Sequence, residues 1–481
     1  MKFDFTKQPT LPTSLKESHE VIISLWGICA EIDELKEKLN TNSKNSSMPP
    51  SKDLKKSIEK SNGKRRGNKK KRKQGGQPGH TKHKRELVPE SEVDHVEKLP
   101  PKKQCECNGL VIPNGNYLRQ QQFELPPITP IVTEYQRQEG TCCNCGKRHF
   151  GKLPNKAAHF ILGPRAIAMI ATLTGCYRTS KRNVVALFQD IYRFNISTGT
   201  ICKAEKIASA ALQHPVEEAK NHIKNKKTEV HADETGHKEK GKRMWAWVAV
   251  ACYLSIFIIR PSRGSIVAKE LLGEDFSGTL ITDRWSAYSW VSEFLRQLCW
   301  SHLLRDFEKI SERKGTSKKI GKKLIRLTEQ MFKYWHQVKH NEKTKAQFQK
   351  YMAKKIPEFE KLLKKGTRCK HKKTKGMCKE ILKLKSALWT FVHRDGVEPT
   401  NNLAERTIRT HVIWTKTSFG TQSKAGTLYM ERVLTVVGSC KLQKRNVLEF
   451  MTSAVKSYYE NNEYPSLIPM NSEDSKCRKA A

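Results

Sequence analysis

The sequence predicts a multidomain α/β protein built on a mixed sheet with helices and interrupted by a helical insertion. Three observations carry that expectation. Residues 229–282 read as strand, strand, strand, helix, strand. Apolar residues at helical spacing, flanked by lysines, dominate residues 311–389. Ahead of both lie two cysteine clusters and a dense basic run, so composition changes several times along the 481 residues.

The N-terminal segment, residues 1–45, carries Val21, Leu25, Ile28, Ile32, Leu35 and Leu39, which step by four, three, four, three and four. Such an a/d stripe makes a short coiled coil that pairs two chains, or an amphipathic helix packed on its own domain. Residues 46–100 are expected to be a basic, disordered linker. NTNSKNSSMPPSKD is polar and Pro-bounded, and KRRGNKKKRK supplies Lys64, Arg65, Arg66, Lys69, Lys70, Lys71, Arg72 and Lys73. A run of this density seeks phosphates without reading sequence.

In residues 101–155, Cys105 and Cys107 are followed by Cys142, Cys143 and Cys145. Two close clusters, the second containing C-x-x-C before a Gly, suggest a zinc-ribbon-like module. The expected ligands are Cys105, Cys107, Cys142 and Cys145, with Cys143 able to replace one. β-Prone segments lie between them, as a ribbon needs. Residues 156–225 are helical by spacing, and both a DNA-binding helix-turn-helix and a plain helical hairpin fit them.

The core is expected in two parts, 226–310 and 396–460. Glu229–Ala232 is a short strand ending on Asp233 and Glu234. Gly236–Gly241 reads as a polar loop, and Met244–Val250 as the returning strand. Tyr253–Arg260 is a third strand, Ser265–Leu272 a helix, and Gly278–Thr282 a buried strand ending on Asp283. This order is that of a ribonuclease-H-like core. There the first and fourth strands are neighbours, which sets Asp233 beside Asp283. Two adjacent like charges are costly unless a cation bridges them, and hard oxygen donors favour Mg²⁺ or Mn²⁺. Glu405, in PTNNLAERTIRT, is expected to complete the set from a helix capped by Asn401 or Asn402. Residues 311–395 form the basic helical insertion, in which Cys369, His371 and Cys378 are spaced poorly for a metal site. Residues 461–481 are a tail.

Lys and Arg number 90 against 48 Asp and Glu, so the net charge is 90 − 48 = +42. Nucleic acid is the expected partner of so basic a chain. The opening MKFDFTKQPT has no signal-like apolar region, and no apolar run reaches the ~18 residues of a membrane span. A cytoplasmic, membrane-free protein is therefore expected.

Taken in order, the motifs resemble one family. NTNSKNSSMPPSKD with GGQPGH, then CxC and CCNC, HADETG, TDRWSAY, CWSHLLRDF, PTNNLAERTIR and GSCKLQKRN are similar to segments of insertion sequence 66 family transposases. The resemblance runs from about Leu25 to Phe450. It implies Asp-Asp-Glu positions at Asp233, Asp283 and Glu405, the same acids reached from strand order. It lays a CW-H-R motif on Cys299, Trp300, His302 and Arg305, and an NN-ER motif on Asn401, Asn402, Glu405 and Arg406. Two departures stand out: C-x-C where C-x-x-C is usual, and Arg284 where Gly is usual.

The activity implied is cleavage at the 3′ ends of a bacterial insertion sequence and transfer of those ends to target DNA. It would use two Mg²⁺ ions and in-line displacement at phosphorus. The double-stranded DNA partners would be the terminal inverted repeats and the target. His302, Arg305, Arg406 and Arg409 are candidate phosphate contacts. Self-association, accessory proteins of the same element and a nucleoid location also follow. The alternatives are an inactive DNA-binding regulator and a nuclease that cuts without joining.

Overall fold

The computed structural model describes residues 14–39, 86–154, 160–225 and 228–469. The basic run 64–73 and most of its linker lie outside them. Helix α1 (Leu15–Leu39) carries the heptad stripe, with Leu25, Ile32 and Leu35 exposed to solvent.

Strands β1 (Glu139–Thr141) and β2 (Arg148–Phe150) make an antiparallel hairpin whose turn holds Cys142–Cys145. The strands expected between the cysteine clusters do not form: residues 111–138 join no ladder. Ile112, Leu118, Ile131 and Val132 are almost fully exposed there. β-Propensity does not hold a strand without a layer to pack against.

Helix α2 (Pro164–Ala171) starts on Pro164, whose fixed φ suits a first turn, and runs into a π-turn at Thr172–Cys176. Helices α3 (Lys181–Asp190) and α4 (Thr198–Ala211) begin at Ser180 and Ser197, whose hydroxyls accept from the Asn183 and Thr200 amides. Helix α5 (Gln213–Asn225) leads into the sheet.

Strand β3 (Glu229–Glu239) turns at Lys240-Gly241 into β4 (Lys242–Val250), followed by β5 (Ser255–Arg260). Both turn residues have positive φ, 48° and 75°, as a tight two-residue hairpin turn requires. The first strand is thus longer than expected. Asp233 lies inside it, and the polar loop read over Gly236–Gly241 shrinks to two residues. Pairing with the apolar β4, Thr235 opposite Ala246 and His237 opposite Met244, extends a segment whose own composition suggests a loop.

Helix α6 (Ser265–Leu272) matches its expected bounds. Strand β6 (Thr279–Thr282) runs parallel to β3, and β7 (Arg296–Leu298) parallel to β6. Among the described residues the main sheet is five-stranded, in the order β5-β4-β3-β6-β7. First and fourth strands are neighbours, as expected; β7 was not foreseen.

Helix α7 (Trp300–Glu312) opens a second layer with α8 (Gly315–Lys339), α9 (Lys345–Gly366), α10 (Lys372–Lys383) and the short α11 (Thr390–His393). These elements surround their own core, in which Trp300 packs edge-on to Phe359, and Trp335 edge-on to Phe391. The chain returns through α12 (Asn402–Ser418), α13 (Lys424–Leu442) and α14 (Val447–Glu460). The main core joins the sheet to helices α2–α6 and α12–α14.

Helix α13 covers the edge of β5 in a regular way. The amides of Ser255, Phe257 and Ile259 donate to Ser439 Oγ, Thr435 Oγ1 and Glu431 Oε1 at 3.0, 3.0 and 2.9 Å. Two strand residues span ~6.8 Å and four helix residues ~6 Å, so the repeats stay in step. An open edge strand is a template for mispairing, and this one is closed. The approach is tight: a Cβ on Gly438 would meet Ser255 Oγ at 2.1 Å.

Helix α12 runs along β3. His231 Nδ1 contacts Asn401 Oδ1 at 3.2 Å, and His237 Nδ1 contacts His411 Nε2 at 3.1 Å. A buried polar chain continues from His237 Nε2 to Thr421, Thr427 and Glu239. Burial pushes His237 down to about 4, the Glu239 charge opposing it. Burial, then the His237 charge, pushes His411 down to about 3.

An unfolded histidine titrates near ~6.5 and so binds a proton that these two refuse. Their contribution is complete above that value and is lost as pH falls toward the folded values. We predict that between pH 7 and pH 5 the wild-type chain loses about 2 kcal/mol more stability than His411→Gln. Urea unfolding at both pH values measures this, and equal losses would show that His411 is not held neutral.

Candidate active site

Parallel pairing of β3 with β6 brings two acids together. The last paired rung is His231 with Ile281. Two residues beyond that rung stand Asp233, inside β3, and Asp283, just past the carboxyl end of β6 where the parallel pairing stops. Asp283 Oδ1 accepts the Trp285 amide at 2.8 Å, and Asp233 Oδ1 accepts the Glu234 amide at 2.9 Å.

The third acid arrives from α12. On β3, residues 231, 233, 235 and 237 share one face by strand alternation. Asn401 meets that face at His231 and His411 meets it at His237. Glu405 lies between them on the helix, with its Oε1 3.5 Å from His302 Nδ1 on α7. The electrostatics agree. Burial, then the charges of Glu234, Asp283 and Glu405, raise the Asp233 carboxyl well above its usual range. The three expected carboxylates therefore share one field.

Asn401 is the pin. Its amide group donates to the Ala232 carbonyl at 2.8 Å and its carbonyl meets His231, while its backbone N–H donates to Cys299 Sγ at 3.2 Å. It stands at the N-cap position, yet its side chain makes no capping bond. The expected cap is therefore corrected: the asparagine ties the helix start to the strand. Burial pushes His231 down to about 4 against the Asn401 contact, and the Arg406 charge adds to the fall.

Glu234 points to the other face of β3. It accepts from Arg263 at 2.7 and 3.0 Å and from the buried Tyr288 hydroxyl at 2.7 Å. Arg263 also stacks on Trp285 at 3.9 Å. Burial, then the Asp283 charge, raises Glu234, while Tyr288 and Arg263 oppose the rise. Sequence reasoning missed this support. Arg263 sits in a loop with no signal, and its role appears only once β3 is seen edge-on. Beneath Asp283, buried Arg296 reaches the Asp283 carbonyl at 3.4 Å. Arg284 pairs with Asp306 on α7, which explains how the crevice accommodates a large residue there.

The other expected residues divide. His302 Nδ1 lies 3.5 Å from Glu405 Oε1. Arg305, one turn on, is partly buried. Arg406 borders a crevice with Leu403, Thr407 and Lys441 on the α13 side of α12, and Arg409 is exposed. Cys105 and Cys142 are lowered by neighbours in their turns. The Cys107 amide and thiol act on the first; the Cys145 and Asn144 amides, then the Cys145 thiol, act on the second. Among the described residues, Cys299, His302 and Glu405 are the set of three His, Cys, Asp or Glu donors lying within 4.8 Å of one another. The four cysteines do not close into such a set, and neither do Cys369, His371 and Cys378.

Replacing Asn401 with Ala leaves the Ala232 carbonyl and His231 without their partner. We predict a stability loss of about 2–4 kcal/mol, read from the urea-unfolding midpoint. An unchanged midpoint would mean that these contacts contribute nothing net.

A model of the IS66 transposase family matches residues 159–428. That is 428 − 159 + 1 = 270 of the 481 residues and takes in the whole crevice. A model of a family of unknown function, DUF6444, matches residues 7–86. No curated protein matches the chain. No helix among the described residues is long and apolar enough to cross a membrane. With its family model spanning more than half the chain, from ahead of the sheet into the second part of the split core, the protein belongs to the IS66 family of transposases.

Proposed function

We propose that this transposase cleaves DNA at the 3′ ends of its insertion sequence and joins them to target DNA, with Asp233, Asp283 and Glu405 as the catalytic carboxylates. The observation that carries the reading is the parallel β3–β6 register, which brings Asp233 and Asp283 side by side, with the Glu405 charge reaching Asp233. The strand order, with β4 antiparallel and β6 and β7 parallel, supports a ribonuclease-H-like core. Asp233, raised by its acidic neighbours, is a carboxyl whose charge a cation would restore, and the oxygen donors suit Mg²⁺ or Mn²⁺. When bound, such ions supply Lewis-acid activation of the attacking oxygen and stabilisation of the leaving one.

The chain's own residues do the positioning. Asn401 holds α12, and so Glu405, against β3. Arg263 and Tyr288 neutralise Glu234 on the far face, leaving Asp233 as the acid that faces the crevice. The buried Arg296 supports the strand end that presents Asp283.

DNA would be gripped by surfaces on both sides of the core. In the insertion, a groove of about 1160 Å³ is lined by Lys314, Lys361, Lys364, Lys365, Arg368 and Lys370, among others. Its charge and the chain's net +42 support phosphate contact. The exposed apolar stripe of α1 supports self-association, which suits an element with two ends. The two close cysteine pairs, with Cys105 and Cys142 lowered by hydrogen bonds in their turns, support structural zinc; metal content lost in Cys142→Ser is the check. Accessory proteins, terminal-repeat recognition and a nucleoid location belong to the same reading.

Two predictions follow from these residues. Asp283→Asn, Asp233→Asn and Glu405→Gln should each lower Mg²⁺-dependent cleavage and joining of the element's own ends by on the order of 10³-fold, with folding intact. Undiminished joining in all three would sink the catalytic assignment, and cleavage without joining would favour a nuclease. Lys361→Glu with Lys365→Glu should weaken DNA binding and reduce the slope of log K against log salt by about 0.9 per lost phosphate contact. An unchanged slope would take the groove out of the DNA path.

A further inference from the structure

Glu405 faces a second group of donors that the carboxylate reading does not use. Cys299 follows β7 and stands at the start of α7; it is buried. Its Sγ lies 4.0 Å from Glu405 Oε1. His302, three residues on, places Nδ1 3.5 Å from the same oxygen. That Nδ1 is buried yet makes no hydrogen bond. The Asn401 amide donates to the sulfur at 3.2 Å, while burial pushes the Cys299 thiol up to about 11, so an arriving ion would displace its proton.

The spacings suit one ion. Tetrahedral zinc, with Zn–S near ~2.3 Å and Zn–N or Zn–O near ~2.0–2.1 Å, gives donor separations of about 3.5 Å for S to O and about 3.3 Å for N to O. The two separations to Glu405 are longer by half an ångström or less, and all three donors lie within 4.8 Å of one another. Sulfur and imidazole discriminate against Mg²⁺ and favour a thiophilic divalent ion. Three protein donors also leave a fourth position open.

We propose that Cys299, His302 and Glu405 form a second metal site, selective for a thiophilic divalent ion such as Zn²⁺, and that its occupation withdraws Glu405 from Asp233 and Asp283. The site stands on its own geometry; its effect on activity rests on the catalytic role proposed for Glu405.

The probe is Co²⁺, titrated into the full-length protein in excess Mg²⁺ and followed by thiolate-to-cobalt charge transfer. Cys299→Ser and His302→Ala should each bind one cobalt fewer than wild type. Asp283→Asn should retain the full number. Cys142→Ser, tested beside Cys299→Ser, separates any cobalt held by the N-terminal cysteines. Circular dichroism checks that each variant is folded. In the DNA-joining assay at fixed Mg²⁺, added Zn²⁺ should slow the wild type by about tenfold, within the range of coupling between linked sites. Cys299→Ser should be markedly less sensitive to Zn²⁺ relative to its own zinc-free rate. Equal cobalt stoichiometry in wild type and in folded Cys299→Ser and His302→Ala overturns the site. Equal zinc sensitivity overturns the withdrawal of Glu405. Loss of a cobalt in Cys299→Ser beside full joining by Asp283→Asn would keep the site and reject the catalytic reading.

Discussion

Strand β3 has to bury polar side chains on both of its faces, and much of the molecule is arranged around that requirement. A central strand cannot leave His231, Asp233, Glu234 and His237 against apolar neighbours, because each unpartnered polar group costs on the order of 1–3 kcal/mol. Helix α12 answers on one face, with Asn401 and His411 meeting the two histidines. Arg263 and Tyr288 answer on the other, holding Glu234. Asp233 is the residue left facing other acids. The placement of α12 is therefore dictated by its partners at both ends, and Glu405 is carried into position between them.

The second layer has a different logic. The insertion encloses its own aromatic core and reaches the sheet through β7 and the start of α7. Two backbone bonds seat that junction: the Cys299 amide donates to the Thr282 carbonyl at 2.8 Å, and the Trp300 amide to the Pro399 carbonyl at 2.9 Å. The first bonds to the residue before Asp283, and the second to the segment leading into Asn401. Movement of the insertion against the core would thus be felt where the acids converge.

Much of this was legible in the sequence, and the limits have physical causes. The apolar runs of β4, β5 and β6 mark buried strands, and Ser265–Leu272 has helical bounds that the fold keeps. Adjacency of Asp233 and Asp283 follows from strand order alone, since parallel register carries both acids equally far past the last rung. Strand β7 was not legible, being three residues long with Arg296 and Gln297 in it. Gln297 is buried against the insertion at Leu388 and Phe391, and Arg296 against Thr282 and Asp283 of the core; both are long-range facts absent from local composition. The second half of β3 was hidden for the same reason: the polar TGHKE around Gly236 reads as a loop until β4 pairs with it. Asn401 shows the converse error. Its position before a helix suggests a cap, but a buried histidine and a strand carbonyl outcompete the helix's own amides for its side chain.

The contrast between Asp233 and Glu234 shows how the fold gives two adjacent acids different surroundings. They are neighbours in sequence, so strand alternation sends them to opposite faces. Glu234 receives a guanidinium and a phenol, and its charge is spent on holding Trp245, Trp285 and the following loop in place through Arg263. Asp233 receives only the next residue's amide and the fields of three other carboxylates. A structure that merely needed to bury Asp233 could have supplied a cation from the chain, as it did one residue later. Left among acids, its carboxyl holds a proton above the usual range, and an approaching divalent ion would favour the charged form, as the proposed metal role requires.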